Sequence, residues 1–310
     1  MLTGELLLTG GSGTMGKAII KRAFDEKWDC RITIFSTDAM KHSVIRAEYP
    51  DVQSVIGDVR DFTTLYSAMS GKDIVLHLAA VKHIPVSEYN SIDTFGVNVT
   101  GSLNVAQAAM QLNTPHVLAI STDKAVHPAN AYGATKMLTE KIWQEYSRLG
   151  IRTKYHLLRY GNVLESNGSV IEAWRNAFRA GQTIKVTDPK MTRFWLSPNQ
   201  AVDLIVLALK LESGIILIPK MPALSIGKLA EYAIGVDERN MEWERIPMRP
   251  GEKMDEELLS SEETEFAVES ESFFFLHPTT SARLRNTIRP FSSDVAKELT
   301  EQELKELLDG

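Results

Sequence analysis

Eight residues, Thr9-Gly10-Gly11-Ser12-Gly13-Thr14-Met15-Gly16, constrain this 310-residue chain more than any others. They follow an apolar run, Leu6-Leu7-Leu8, and lead into a segment, 16–27, with helical spacing of its apolar residues. Glycine permits a tight turn and lets backbone N–H groups approach a pyrophosphate at a helix N-terminus. A glycine pattern alone is a weak signal, and a plain turn is the competing reading. Strand, loop and helix in that order, at the start of the chain, is the context that dinucleotide binding requires. Gly10, Ser12, Gly13, Thr14, Met15 and Gly16 are therefore the expected cofactor-binding residues of this loop.

The first two thirds of the chain repeat the theme. Apolar, β-branched runs stand at 6–9, 31–35, 52–56, 73–78, 116–121, 154–159 and 215–218. They lack period-two polarity, as strands buried on both faces do. Helical segments such as 98–112 separate them, and the alternation predicts an α/β fold with a doubly wound parallel sheet, a Rossmann domain. After Tyr160, loops rich in Gly, Asn, Pro and Arg (162–169 and 247–253) announce a smaller C-terminal α/β lobe. The expected division is 1–162 plus about 193–220 for the dinucleotide domain, and 163–192 plus 221–310 for a substrate lobe. The acidic, Ser-rich stretch 260–272 reads as a solvated connection, and 300–308 as a short amphipathic helix.

Composition narrows the function classes. Hydrophobic residues at 44% and charged residues at 24% are those of a globular protein. A net charge of −6 with no Lys/Arg-dense run argues against a nucleic-acid partner, while leaving room for a small anion held by a few cations. Cys30 is the single cysteine, so no internal disulfide forms, and a reducing, cytoplasmic setting is expected. The N-terminal apolar run is too short for a signal peptide, and no stretch of about 18 uncharged apolar residues predicts a membrane span. The histidines show no metal spacing, so no metal is expected; His77 and His116 read as packed strand residues.

The ends of two further strands bear on the cofactor. Phe35-Ser36-Thr37-Asp38 places a serine where NAD-binding folds often carry an acidic ribose ligand. Without that carboxylate a 2′-phosphate is not repelled, so NADP is expected over NAD, held by Ser36, Thr37 and Lys41. The alternative is a turn in which Asp38 caps the next helix. In Gly57-Asp58-Val59-Arg60-Asp61, Asp58 and Val59 are expected beside the adenine; the alternative is a plain turn aspartate.

Ser121-Thr122-Asp123-Lys124 ends the fifth strand, and Tyr132-Gly133-Ala134-Thr135-Lys136 opens a helix soon after. Tyr132 and Lys136 are four apart and share a helix face. An ammonium beside a phenol favours phenolate, and such a tyrosine takes a proton from a sugar hydroxyl as hydride leaves. The pair is common in any helix, but behind a glycine-rich first loop and after strand five it is specific.

These features resemble an extended short-chain dehydrogenase/reductase and, more narrowly, the inverting UDP-N-acetylglucosamine 4,6-dehydratases of pseudaminic acid synthesis. The matching stretches are GDVRD (57–61), LAAVKHIPVSEYN (78–90), STDKAVHPANAYGATK (121–136), RYGNVLESNGSV (159–170), MTRFW (191–195) and RPGEK (249–253), and they span nearly the whole chain. The resemblance implies Lys124 as the C5 base, Asp123 as the acid for the leaving C6 hydroxyl, and Thr122 as a ligand of the C4 oxygen. A lysine base must be neutral, so its pKa is expected to fall through burial or a nearby cation such as Lys136. Ala79, Ala80 and Lys82 are expected near cofactor and sugar. Asn162, Arg193 and Arg249 are expected at the diphosphate, and Glu252 at the ribose. The alternative for each is a surface ion-pair partner. The resemblance also implies a homo-oligomer, a hexamer in some relatives. It implies inversion at C5, because the large membrane-bound retaining relatives tend to carry methionine where Tyr132 stands. Thr37 departs from the arginine that many members carry. A UDP-sugar 4-epimerase shares the Tyr/Lys pair but needs no acid/base pair for C5 and C6, so Asp123-Lys124 argues against it. A non-catalytic NADP-sensing protein need not keep Tyr132 and Lys136 together.

Overall fold

The computed structural model describes residues 1–149, 152–164, 170–235, 243–278 and 287–309. Strands β1 (Gly4–Thr9), β2 (Cys30–Ser36), β3 (Gln53–Ile56), β4 (Ile74–His77), β5 (His116–Thr122) and β6 (Lys154–Tyr160) lie parallel in the order β3-β2-β1-β4-β5-β6. Each falls within two residues of its expected place. The signal was legible because Leu6, Leu7, Leu8, Val75, Leu76, Val117 and Leu118 are all fully buried. Helices α1 (Thr14–Asp25), α2 (Ala39–Glu48), α3 (Phe62–Met69), α4 (Ile84–Tyr89), α5 (Ser91–Phe95), α6 (Gly101–Leu112) and α7 (Ala131–Leu149) connect them, with a π-helical turn at Gly96–Thr100 leading into α6. The chain winds outward from β1 to β3, then returns to β4 and proceeds the other way. The reversal falls between β1 and β4, and ligands of doubly wound sheets bind at the carboxyl ends of strands at such a switch point.

The remainder holds β7 (Asn162–Val163), β8 (Ile184–Val186), β9 (Thr192–Leu196), β10 (Ile216–Pro219), β11 (Ala223–Ser225), β12 (Trp243–Arg245), β13 (Glu257–Leu259), β14 (Ala267–Glu269), β15 (Phe273–Leu276) and β16 (Phe291–Ser292). Its helices are α8 (Val170–Arg179), α9 (Pro198–Ala208), α10 (Ile226–Ile234) and α11 (Glu301–Asp309). As expected, β10 returns to the main sheet, parallel to β6. Antiparallel β15 and β14 extend that sheet to nine strands, although the sequence had assigned their stretch to the lobe. Small sheets β11-β9-β7, β12-β8 and β13-β16 make up the rest. A second apolar cluster, including Leu164, Trp174, Ile184, Trp195, Leu229 and Leu304, is buried apart from the main core. Leu304 and Leu307 join it from α11, the expected amphipathic helix.

Most of the stretch 260–272 is exposed, as expected of a solvated connection, but part of it packs. Ser260 is buried, Ala267–Glu269 forms the sheet edge, and Glu263 pairs with Arg159 at 2.7 Å. Arg159 lies fully buried in β6 between Glu263 and Glu140 of α7 and donates to both carboxylates. A buried guanidinium requires such partners, and the acidic composition that suggested solvent supplies one of them. Among the described residues, no helix is long and apolar enough to cross a membrane. Residues 165–169 of the expected loop lie outside the described residues.

Candidate active site

A cavity of about 640 Å³ opens where the carboxyl ends of β1, β2, β4, β5 and β6 meet β7 and α8. Its nucleotide end is the glycine loop. Gly10 adopts φ +66°, and a Cβ there would lie 2.7 Å from the Ala79 backbone, so only glycine brings the β1 and β4 loops this close. Ser12, Gly13, Thr14 and Met15 line the cavity ahead of α1. Gly16 instead packs: a Cβ there would meet the Gly11 carbonyl at 2.1 Å. The start of α1, with the positive end of its dipole, borders this space, a setting suited to a pyrophosphate.

Ser36, Thr37 and Lys41 also line the cavity. Ser36 Oγ is already bonded to Ser12 Oγ at 2.8 Å and to His42 Nε2 at 2.6 Å. Lys41 pairs with Asp38 at 2.8 Å, and Asp38 caps α2 through the Lys41 N–H, so the turn reading holds beside the ligand reading. Asp58 and Val59 depart from expectation, for neither lines the cavity. Both Asp58 oxygens accept from Arg60, which holds its carboxyl below the usual range, and Val59 is buried against Gly101.

The opposite wall carries the chemistry. Thr122, Lys124, Tyr132, Lys136 and Asn162 line it, with Ala79, Ala80 and Lys82 above. Gly133 sets the approach of α7 to the end of β5, since a Cβ there would stand 2.1 Å from the Lys124 carbonyl. Asn98, from the π-helical turn, exchanges hydrogen bonds with the Val81 backbone and donates to Thr135, so the β4 loop and α7 are fastened together. Sequence reading missed Asn98 because its partners are 17 and 37 residues away.

Lys124 Nζ meets three acceptors: Asp123 Oδ1 at 3.0 Å, Asn162 Oδ1 at 3.2 Å and Glu256 Oε1 at 3.4 Å. Burial alone lowers its pKa, but Asp123 and Glu256 outweigh that and raise it. This corrects the expected lowering: the ammonium donates to Asp123 and Asn162 and forms an ion pair with Glu256, so two carboxylates favour its charged form. The expected effect of Lys136 on Tyr132 is also absent. Desolvation pushes Tyr132 up to about 12, opposed mainly by Lys124. Lys136 itself falls to about 8 through burial, against Glu140. Asp123 is fully buried behind this wall, accepts from Thr122 Oγ1 at 2.8 Å, and does not line the cavity. Glu256, which the sequence did not single out, is 3% exposed, and burial raises its pKa. Among the described residues, Asp123 Oδ2 and Glu256 Oε2 have no hydrogen-bond partner.

Arg193 does not stand at the cavity. It is 8% exposed and donates to the carbonyls of Thr192, Lys253 and Met254 and to Met191 Sδ, with Nε 4.0 Å from Glu256. Four of its five N–H donors are so used, two of them tying β9 to Lys253 and Met254, and the fifth, on Nε, lies beside the Glu256 carboxylate rather than at the cavity. Arg249 is exposed and Glu252 half-buried in a turn where Glu252 Oε2 accepts from the Arg249 N–H at 2.9 Å; neither lines the cavity.

A glycine-loop cavity at the switch point of a parallel sheet, with Tyr132 and Lys136 on one helix at its far wall, defines an extended short-chain dehydrogenase/reductase. Within that class the chain belongs to the polysaccharide biosynthesis protein family, whose model matches residues 6–278. It is 34% identical over 281 residues to the inverting UDP-N-acetylglucosamine 4,6-dehydratase of Campylobacter jejuni, covering 89% of this chain and 83% of that protein. It is 38% identical over 266 residues to a UDP-glucose 4-epimerase of Rickettsia bellii, covering 83% and 78%. The X-ray structure of Pen from Bacillus thuringiensis superposes with a TM-score of 0.90 at 33% identity, over 99% of this chain and 97% of that one.

Proposed function

We propose that this chain is an NADP-dependent UDP-N-acetylglucosamine 4,6-dehydratase that inverts C5. The observation that carries the reading is the meeting of Tyr132 and Lys124 on one cavity wall, facing the glycine loop. The donor set at α1 and Ser36 fits a dinucleotide, and a bound nicotinamide supplies a hydride acceptor that later returns the hydride.

Tyr132 takes the C4 hydroxyl proton, and the ketone so formed acidifies C5–H. Lys124 takes that proton once it has passed its own to a carboxylate neighbour. Asp123, buried behind the wall, takes up the Lys124 proton and passes a proton through Thr122 or Lys124, both of which donate to it, to the departing C6 hydroxyl, which leaves as water. Net loss of water requires the C4 hydroxyl proton to reach the departing C6 hydroxyl. Thr122, which donates to Asp123 and lines the cavity with Tyr132, would relay it between those two sites. Asn162 holds the Lys124 ammonium. The diphosphate would be met by Lys82 and by Arg249 if its loop closes over the cavity, whereas Arg193 holds that loop's base. We take residues 1–162 with about 193–220 as the dinucleotide domain, extended by β14 and β15, and a homo-oligomer as the working form.

Incubating the protein with UDP-N-acetylglucosamine in deuterated water and following early NMR spectra tests this. The expected product is the 4-keto-6-deoxy sugar of L-arabino configuration with deuterium at C5. A first-formed D-xylo product rules out inversion alone, and a C4 epimer without loss of water establishes the 4-epimerase reading that the Rickettsia relative favours.

A further inference from the structure

Four side chains form an unbroken hydrogen-bonded line from the glycine loop to the edge of the main sheet. Ser12 Oγ lies 2.8 Å from Ser36 Oγ, Ser36 Oγ lies 2.6 Å from His42 Nε2, and His42 Nδ1 lies 2.5 Å from Ser54 Oγ. Ser12 and Ser36 line the cavity; His42 and Ser54 stand behind them, and His42 is 2% exposed.

The Ser36 hydroxyl has one proton to direct. An imidazole protonated at Nε2 donates to Ser36 and, with the Ser12 hydroxyl donating to Ser36 as well, leaves that proton free to point into the cavity. The other neutral tautomer accepts the Ser36 proton, so only lone pairs remain for a ligand. An imidazolium donates at both nitrogens, with Ser54 Oγ placed to accept from Nδ1. A phosphomonoester needs a donor at Ser36, whereas a ribose hydroxyl, which both donates and accepts, is served by either state.

We propose that His42 is the positioning residue that selects a dinucleotide bearing a phosphomonoester on its adenosine ribose, by turning the Ser36 hydroxyl outward and taking up a proton as that group binds. This rests on reading the cavity as a nicotinamide-dinucleotide site. The charged groups near the ring on its own helix are Asp38 at the N-cap and Lys41, which are paired to each other. The groups that meet it from β2 and β3 are the Ser36 and Ser54 hydroxyls. Burial holds His42 below the usual imidazole range, with Asp38 opposing, so the ring is neutral before binding. A dianion beside Ser36 raises that pKa, and the proton then arrives with the ligand.

Calorimetric titration of NADP and of NAD, each in two buffers of different ionisation enthalpy, tests this on the wild type, His42→Leu and His42→Gln. The wild type is expected to take up protons with NADP and not with NAD. His42→Leu should lose about tenfold or more in NADP affinity, the worth of one charge-assisted hydrogen bond, with NAD affinity unchanged as the control for folding. His42→Gln, which keeps a donor but cannot charge, should retain part of the affinity and lose the proton uptake. Equal losses for both cofactors, or proton uptake that persists in His42→Gln, overturn the proposal. A wild type that binds neither dinucleotide overturns the cofactor reading itself, and with it this assignment.

Discussion

The two ends of the cavity were built in different ways. At the nucleotide end, Gly10, Ser12, Gly13, Thr14, Met15 and Ser36 all stand where their sequence neighbourhood placed them. At the lobe side, Arg193, Arg249 and Glu252 do not reach the cavity, and Glu256 comes to Lys124 from 132 positions away. The first end depends mainly on the β1–turn–α1 unit, whose backbone conformation is local, with Ser36 added from the end of β2. The second depends on how the 249–256 segment docks beneath β5, and that is a property of tertiary packing.

The largest effect should fall on the shared wall. Tyr132→Phe is expected to lower turnover by about 10²–10⁴-fold by blocking C4 oxidation. Lys124→Ala should oxidise C4 yet fail to dehydrate, so single-turnover absorbance would show reduced cofactor accumulating in that variant alone. Dehydration by Lys124→Ala at the wild-type rate would remove Lys124 from the mechanism.

Arg193 sharpens the comparison next. As a latch between β9 and the 253–256 segment, its loss in Arg193→Leu should reduce stability by at least about 2 kcal/mol, seen as a lower denaturation midpoint. A phosphate ligand would behave otherwise, with an unchanged midpoint and a raised KM.

Glu256→Gln should act through charge. The carboxylate raises the Lys124 pKa, so its removal lowers it, and neutral amine becomes available at lower pH. The rising limb of the dehydration profile should move to lower pH. A uniform loss of rate at every pH would mark Glu256 as merely structural. Arg249→Ala should be mildest, with stability changed by less than about 0.5 kcal/mol and at most a modest rise in KM.

Much of this was legible in the sequence for an identifiable reason. Strands buried on both faces leave runs such as Leu6-Leu7-Leu8 that no exposed segment tolerates. The Tyr132/Lys136 spacing survives folding because a helix carries it intact. Glu256 was illegible because one carboxylate in Asp255-Glu256-Glu257 looks like the others until burial separates them: Glu256 is buried, while its two neighbours are half-buried. The Lys124 pKa goes the other way because, against burial, both its motif neighbour Asp123 and the distant Glu256 raise it. Within 260–272, mostly exposed as its composition suggests, Glu263 was illegible because an acidic residue in a solvated loop and a buried guanidinium's partner look alike in sequence.

That partner has a consequence for modularity. Arg159 joins β6 to Glu140 on the helix that bears Tyr132, and to Glu263 far along the chain. Removing Glu263 would leave a buried guanidinium with one carboxylate fewer, a loss of about 3–5 kcal/mol for a broken buried pair. The catalytic helix is thus clamped from behind by a residue that arrives after most of the lobe has been threaded. A chimera that grafts a foreign lobe onto this nucleotide-binding half would inherit its specificity loops but lose this clamp. Such grafts should succeed only when the junction carries Glu263 along with the half it supports.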